Sequence, residues 1–257
     1  MAKQNLQQSI SASLAYLTLA SMKTSSSSRV KYWIIAAAVA GAAMLFLVVG
    51  RLLGWWAFFT VQTISQMPDV PPGRLFMAGN LKSPAAGRLI LFKYFDDLQQ
   101  QQSIFCFRCV AVAGDTVQLR AGRCYVNGRP ADNSANIWLS YELKSERPLE
   151  LLELYSDRME ESFADGNRTV PLSPAEAATL RQRLSMADTL KLLDFPLQPE
   201  TAWLARIDSS ASINHCRPFI VPAQHFFVLG ANRHNAFDSR FTGPIHRDSV
   251  VGVVYFR

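Results

Sequence analysis

The sequence predicts one N-terminal transmembrane helix followed by a mainly β domain, an antiparallel barrel or sheet, with an α/β insert. Three observations lead there. Nineteen residues from Tyr32 to Gly50 carry no charge. Short runs rich in β-branched and aromatic residues then fill two stretches, Leu75–Asn127 and Pro218–Arg257. Between them, over residues 131–217, the texture turns acidic and helical in period.

The apolar run would span roughly 28 Å as a helix, about one hydrocarbon thickness. It starts after residue 30 and exceeds the core of a cleavable signal peptide, so it reads as a retained anchor over 32–53. Lys23, Arg29 and Lys31 precede it against Arg51 behind. The positive-inside rule then places residues 1–31 in the cytoplasm and the body outside, which in a bacterium means an inner-membrane protein with a periplasmic or extracytoplasmic domain. Trp55, Trp56, Phe58 and Phe59 follow the span. They suit either the membrane interface or the start of the body's core. Leu6, Ile10, Leu14 and Leu17 form a stripe that fits a surface-lying cytoplasmic helix or a frayed tail, and Thr24–Ser28 reads as a linker.

Charge adds to this. The chain has 26 Lys and Arg against 20 Asp and Glu, yet five of the basic residues and none of the acidic ones lie before residue 69. The body is therefore nearly neutral, which argues against nucleic-acid binding.

Strands are predicted at Arg74–Ala78, Arg88–Tyr94, Phe105–Ala113, Thr116–Arg120, Arg123–Val126, Phe226–Leu229 and Val250–Tyr255. Turn residues separate them: Pro71-Pro72-Gly73, Gly114-Asp115, Asn127-Gly128 and Gly243-Pro244. In the insert, Glu146–Phe163 has a helical period. Ser173-Pro174-Ala175-Glu176 is a helix start, with Ser173 as cap, Pro174 at the first helical position and Glu176 closing a capping box. The body is thus assigned to 60–130 and 218–257, interrupted by 131–217.

Four cysteines, Cys106, Cys109, Cys124 and Cys216, allow three pairings. Cys106 and Cys109 have redox spacing. On a strand, however, positions i and i+3 face opposite ways, so structural or free cysteines are favoured. His215, His225 and His246 lack metal-ligand spacing, and neither a metal nor a cofactor is expected.

Four segments together resemble the bacterial type I signal peptidases, membrane-anchored serine proteases that use a lysine as general base. The family's opening Ser-Met-x-Pro-Thr-Leu resembles Ser65-Gln66-Met67-Pro68-Asp69-Val70, which departs from it with Gln66 for Met and Asp69 for Thr. Its second box resembles Gly87–Tyr94. The third, Lys-Arg-Val-Val-Gly-x-Pro-Gly-Asp with a later Val-Asn-Gly, resembles Phe107–Asp115 and Val126-Asn127-Gly128. The last, Gly-Asp-Asn-Arg-x-Asn-Ser-x-Asp-Ser-Arg-x-x-Gly, resembles Gly230–Gly243 and is the specific one.

The resemblance places the nucleophile at Ser65 and supporting residues at Asp238 and Arg240. A serine hydroxyl needs an adjacent base. The family's lysine position holds Phe107 here, and the serine that orients that lysine is replaced by Ala236. Loss of one member of a serine-protease catalytic unit can cost on the order of 10⁶ in turnover. The resemblance therefore implies a catalytically impaired relative that binds or scaffolds signal-peptide or pilin-like polypeptides at the membrane, in secretion, conjugation or pilus assembly. The other reading is an active serine endopeptidase with a non-standard base, for which His234 and Lys93 are the candidates, with Lys82 beside them.

Overall fold

The computed structural model describes residues 29–96, 101–133, 135–146, 153–158 and 168–256. The chain forms two compact units, Met1–Leu53 and Gly54–Arg257. The first holds helix α1, Arg29–Leu52, which contains the whole uncharged run and is long and apolar enough to cross a membrane. The 5–22 stripe and the 24–28 linker lie outside the described residues.

The second unit is built on three antiparallel sheets. The largest comprises β1 (Ala57–Thr60), β2 (Leu75–Gly79), β3 (Leu89–Asp96), β4 (Gln101–Val112), β12 (His225–Leu229), β13 (Ile245–His246) and β14 (Val250–Phe256). Its order, β1-β2-β14-β3-β4-β12-β13, leaves two ends unjoined, so the domain is an open sheet and not a closed barrel. The second sheet runs β11-β5-β6-β7, from β5 (Thr116–Arg120), β6 (Arg123–Val126), β7 (Arg129–Pro130) and β11 (Cys216–Ile220). The third, β10-β8-β9, belongs to the insert: β8 (Leu139–Lys144), β9 (Arg168–Leu172) and β10 (Thr189–Leu192).

The strand sequences explain the layering. Side chains alternate across a strand. Ile90, Phe92, Phe107 and Cys109 enter one core with Val228, Ala236 and Val253. Leu89 and Leu91 enter another with Val61, Val70, Phe76 and Ala78, and Cys106 packs against it. Both faces of β3 and β4 are thus covered, which is why these strands read as continuous apolar runs. The β3–β4 register sets Ile90 opposite Phe107, and β12 continues beside β4 with Leu229 opposite Arg108. Three of the sequence boxes become neighbouring strands.

Cys106 and Cys109 point into different cores, and all four cysteines are free. Burial pushes the thiols of Cys106, Cys109 and Cys124 up to about 12. These are packing groups without thiolate character.

Of the Glu146–Phe163 stretch, the described part is a 3-10 segment, Glu153–Arg158, whose helical geometry breaks at Tyr155 (φ −124°, ψ 16°). The expected α-helix is absent there because Tyr155 turns into the insert's core while Arg158 stacks on Trp138 and pairs with Glu176. The second helix is as expected. Helix α2, Pro174–Arg181, starts at a capping box in which Ser173 Oγ accepts from Glu176 N–H (3.2 Å) and Glu176 accepts from Ser173 N–H (2.7 Å). Its Ala177 and Leu180 pack on Leu139, Leu143, Val170 and Leu172. Further along, helix α3 (Trp203–Ile207) and its flanks send Leu197, Leu204 and Ile213 into the core formed with Val117, Leu119 and Phe227.

Ser173→Ala removes one half of the α2 cap. A loss of about 1 kcal/mol is expected in denaturant unfolding, with hydrogen exchange accelerated first at the Glu176 amide.

Candidate functional site

Ser65 sits in a 3-10 turn, Ile64–Gln66, between β1 and β2. Its Oγ lies 2.8 Å from Thr63 Oγ1, and its carbonyl accepts from Asn232 N–H at 3.0 Å. The turn is therefore fastened to the loop between β12 and β13, the loop that carries the last sequence box.

That loop is organised by buried charge. Asp238 caps helix α4, Ser239–Thr242, and is fully buried. Its carboxylate accepts from Gly230 N–H (2.9 Å) and from Arg240 Nε–H and Nη2–H (2.8 and 2.9 Å). Arg240, 1% exposed, also donates to the carbonyls of Ile213 and Arg233. Arg233 in turn pairs with Asp132 and donates to the carbonyls of Gly230 (2.8 Å) and Gly122 (3.2 Å). Each ion is thus compensated by a partner and by further hydrogen bonds, the condition under which buried charge is tolerated.

Gly230 shows how tightly this loop meets the rest. A Cβ there would stand 2.3 Å from Ala236 Cβ, 2.9 Å from Ser65 O and 3.4 Å from Phe107 Cε1. One backbone position therefore brings together Ser65, Phe107 and Ala236, although they are up to 171 residues apart in sequence. Arg108, next to Phe107, pairs with Asp69 of the Ser65 segment and donates to Gly87 O at 2.5 Å.

Ser65, Phe107 and Ala236 line one groove of about 700 Å³, with Phe59, Phe105 and Phe237 among its walls. The Phe107 ring is 4% exposed and packs against Phe92 and Phe105. Lys93 is exposed and lies outside the groove lining, on the face of β3 opposite Ile90 and Phe92. Lys82 stacks over Tyr255. His234 does line the groove, but both of its ring nitrogens are engaged. Nδ1 accepts from Ser140 N–H (2.9 Å), which leaves Nε2–H to donate to Leu193 O (2.9 Å). Burial, reinforced by the Arg240 charge, lowers its pKa to about 4. His234, a candidate base by sequence, stands in this geometry as a strap between the groove wall and the insert. Among the described lining residues the other titratable group is Cys106, held as a thiol. The groove offers the hydroxyls of Thr60, Thr63, Ser65 and Ser103 and an apolar floor.

Sequence reasoning missed three participants. Thr63 was legible in principle, a hydroxyl two residues before Ser65. Asp132 was not, since it meets Arg233 across 101 residues of chain. Gln66, noted only as a departure from the family pattern, is fully buried, and its amide has no hydrogen-bond partner among the described residues.

Comparison with known proteins gives the family. Residues 30–257 match the family described as "Signal peptidase, peptidase S26". The chain is 25% identical over 210 residues to "Signal peptidase I" of Aquifex aeolicus (strain VF5), across 77% of this chain and 75% of that protein. A solved signal peptidase I from Enterococcus faecalis V583 is 19% identical, covers 68% of this chain and 100% of its own, and has a TM-score of 0.31.

Two outcomes follow from the charges. Asp238→Asn leaves Arg240 buried without its counter-ion and is expected to cost about 3–5 kcal/mol in denaturant unfolding. His234 titrates near 6.5 when unfolded and near 4 when folded. The unfolded chain therefore takes up the proton first, so stability is full above about pH 7 and declines as pH falls through 6.5 toward 4. After discounting for partial exposure the loss is on the order of 1–2 kcal/mol. His234→Gln should remove this part of the pH dependence in unfolding curves recorded between pH 7.5 and 4.5.

Proposed function

Since the chain belongs to the signal peptidase, peptidase S26 family, we propose that it is a membrane-anchored member that binds or scaffolds signal-peptide or pilin-type segments without cleaving them efficiently. In this reading α1 holds the protein in the bacterial inner membrane with residues 1–31 cytoplasmic. The body, with its 60–130 and 218–257 β portions and the 131–217 insert, lies on the extracytoplasmic side. Secretion and pilus or conjugation machinery is the setting.

The observation that supports impairment is the lining of the groove around Ser65. Phe107 stands at the family's base position and accepts no proton. Ala236 stands at the helper position, and His234 has both nitrogens committed. A serine without a base in reach is a poor nucleophile. What favours retained binding is the groove itself. The pairing of β12 with β4 ends at Leu229–Arg108, and the groove opens along the continuing Ser103–Phe107 stretch of β4. An extended peptide can align there as an added strand, its side chains reaching the apolar floor.

The full chain in detergent is expected to cleave a signal-peptide substrate no faster than its Ser65→Ala variant. Phe107→Lys alone should add little, because a lysine there must be both desolvated and held by a hydrogen bond. Phe107→Lys with Ala236→Ser should add more. Peptide capture should persist in the wild type and weaken when Ser65 is replaced by Arg. Robust wild-type cleavage that Ser65→Ala abolishes would overturn the proposal.

A further inference from the structure

We propose that His225 and His246 form a two-histidine site for a divalent transition-metal ion on the β12–β13 pair, outside the groove. The two residues are direct cross-strand partners in an antiparallel ladder. Such partners carry Cβ atoms about 5 Å apart. Their ring centroids are 4.9 Å apart, with planes at 71°. Two imidazoles on one tetrahedral ion, each with a metal–nitrogen bond of about 2.0–2.1 Å, place their centroids about 5 Å apart. The rings therefore need only small side-chain rotations to share an ion, and the backbone need not move.

The hydrogen bonds around the rings set their donor atoms. His225 Nδ1 lies 2.7 Å from Ala223 O. A carbonyl only accepts, so Nδ1 carries the proton and Nε2 keeps its lone pair. A ring whose other nitrogen donates to a backbone carbonyl is the usual supporting arrangement of a metal-bound histidine. His246 is 45% exposed; its Nδ1 accepts from Asp248 N–H at 3.3 Å and lies 3.5 Å from the Asp248 carboxylate. On binding, the His246 proton shifts from Nε2 to Nδ1 and turns to that carboxylate. Nε2 is freed for the ion, and no proton is released overall.

Neutral imidazoles favour Zn²⁺, Cu²⁺ or Ni²⁺ over Mg²⁺ and Ca²⁺. No group of three or more His, Cys, Asp and Glu among the described residues is placed to hold an ion. Two rings with water in the remaining positions make an exchangeable site. The other two of the chain's four histidines are set differently. His234 has both nitrogens engaged, and His215 accepts from Ala121 N–H at 3.5 Å.

Titration of the detergent-purified full chain with Zn²⁺ at pH 7.5, followed by calorimetry, tests the site. The wild type should bind one Zn²⁺. His225→Gln and His246→Gln should each weaken binding at least tenfold. The double variant should lose further binding, but by less than the product of the two single losses, because the first loss already breaks the chelate. His215→Gln should bind as the wild type does. Metal-free melting temperatures of the variants within a few degrees of the wild type would show that the fold is retained. Absence of Zn²⁺ binding in the wild type, undiminished binding in either single variant, or losses that add in the double variant would overturn the proposal.

Discussion

The pairing of Asp238 with Arg240 is the interaction on which the site depends. Both ions are removed from water, so every donor and acceptor they carry has to be satisfied inside the protein. The solution uses the backbone. Asp238 takes the N–H of Gly230, and Arg240 takes the carbonyls of Ile213 and Arg233. A second buried pair, Arg233 with Asp132, then draws in the carbonyls of Gly230 and Gly122. The result is a loop with little freedom, and its Asn232 N–H holds the carbonyl of Ser65. Gly230 is the contact point, where even a methyl group would strike Ala236 and Ser65.

This scaffold separates geometry from chemistry. The residues that hold the loop, Gly230, Asn232, Asp238, Arg240 and Gly243, stand as the family resemblance requires. The two positions to which the resemblance assigns the base and its helper hold Phe107 and Ala236, and the phenyl ring fills its place as part of an aromatic and aliphatic core. The groove is thus kept in shape by buried charges that do not line it, while its floor is apolar. The proposed binding of an extended segment rests on the first property, and the proposed impairment on the second.

Much of this was legible in the sequence because it is local. The strand runs, the α2 capping box and the spacing of Asp238 and Arg240 are set by neighbours a few residues away. The opposite facing of Cys106 and Cys109 follows from strand alternation alone. What could not be read depends on contacts across long separations. Asp132 finds Arg233 only once the insert folds back. His234 looked available beside the last box, yet its ring is claimed by Ser140 and Leu193 of the insert. Helical periodicity in Glu146–Phe163 gave way, in the described part, to the pull of Tyr155 into the insert's core and of Arg158 onto Trp138. The open edges of the large sheet follow from pairing order, which periodicity does not encode.

The central claim is that Ser65 is positioned but not activated. It is tested most directly by incubating the full chain with an activated acyl ester and mapping adducts by mass spectrometry across pH. The account predicts that Ser65 acylates no faster than an exposed serine such as Ser210, with no rise tracking the titration of a nearby base. Selective acylation of Ser65, with a pH profile that identifies such a base, would contradict it.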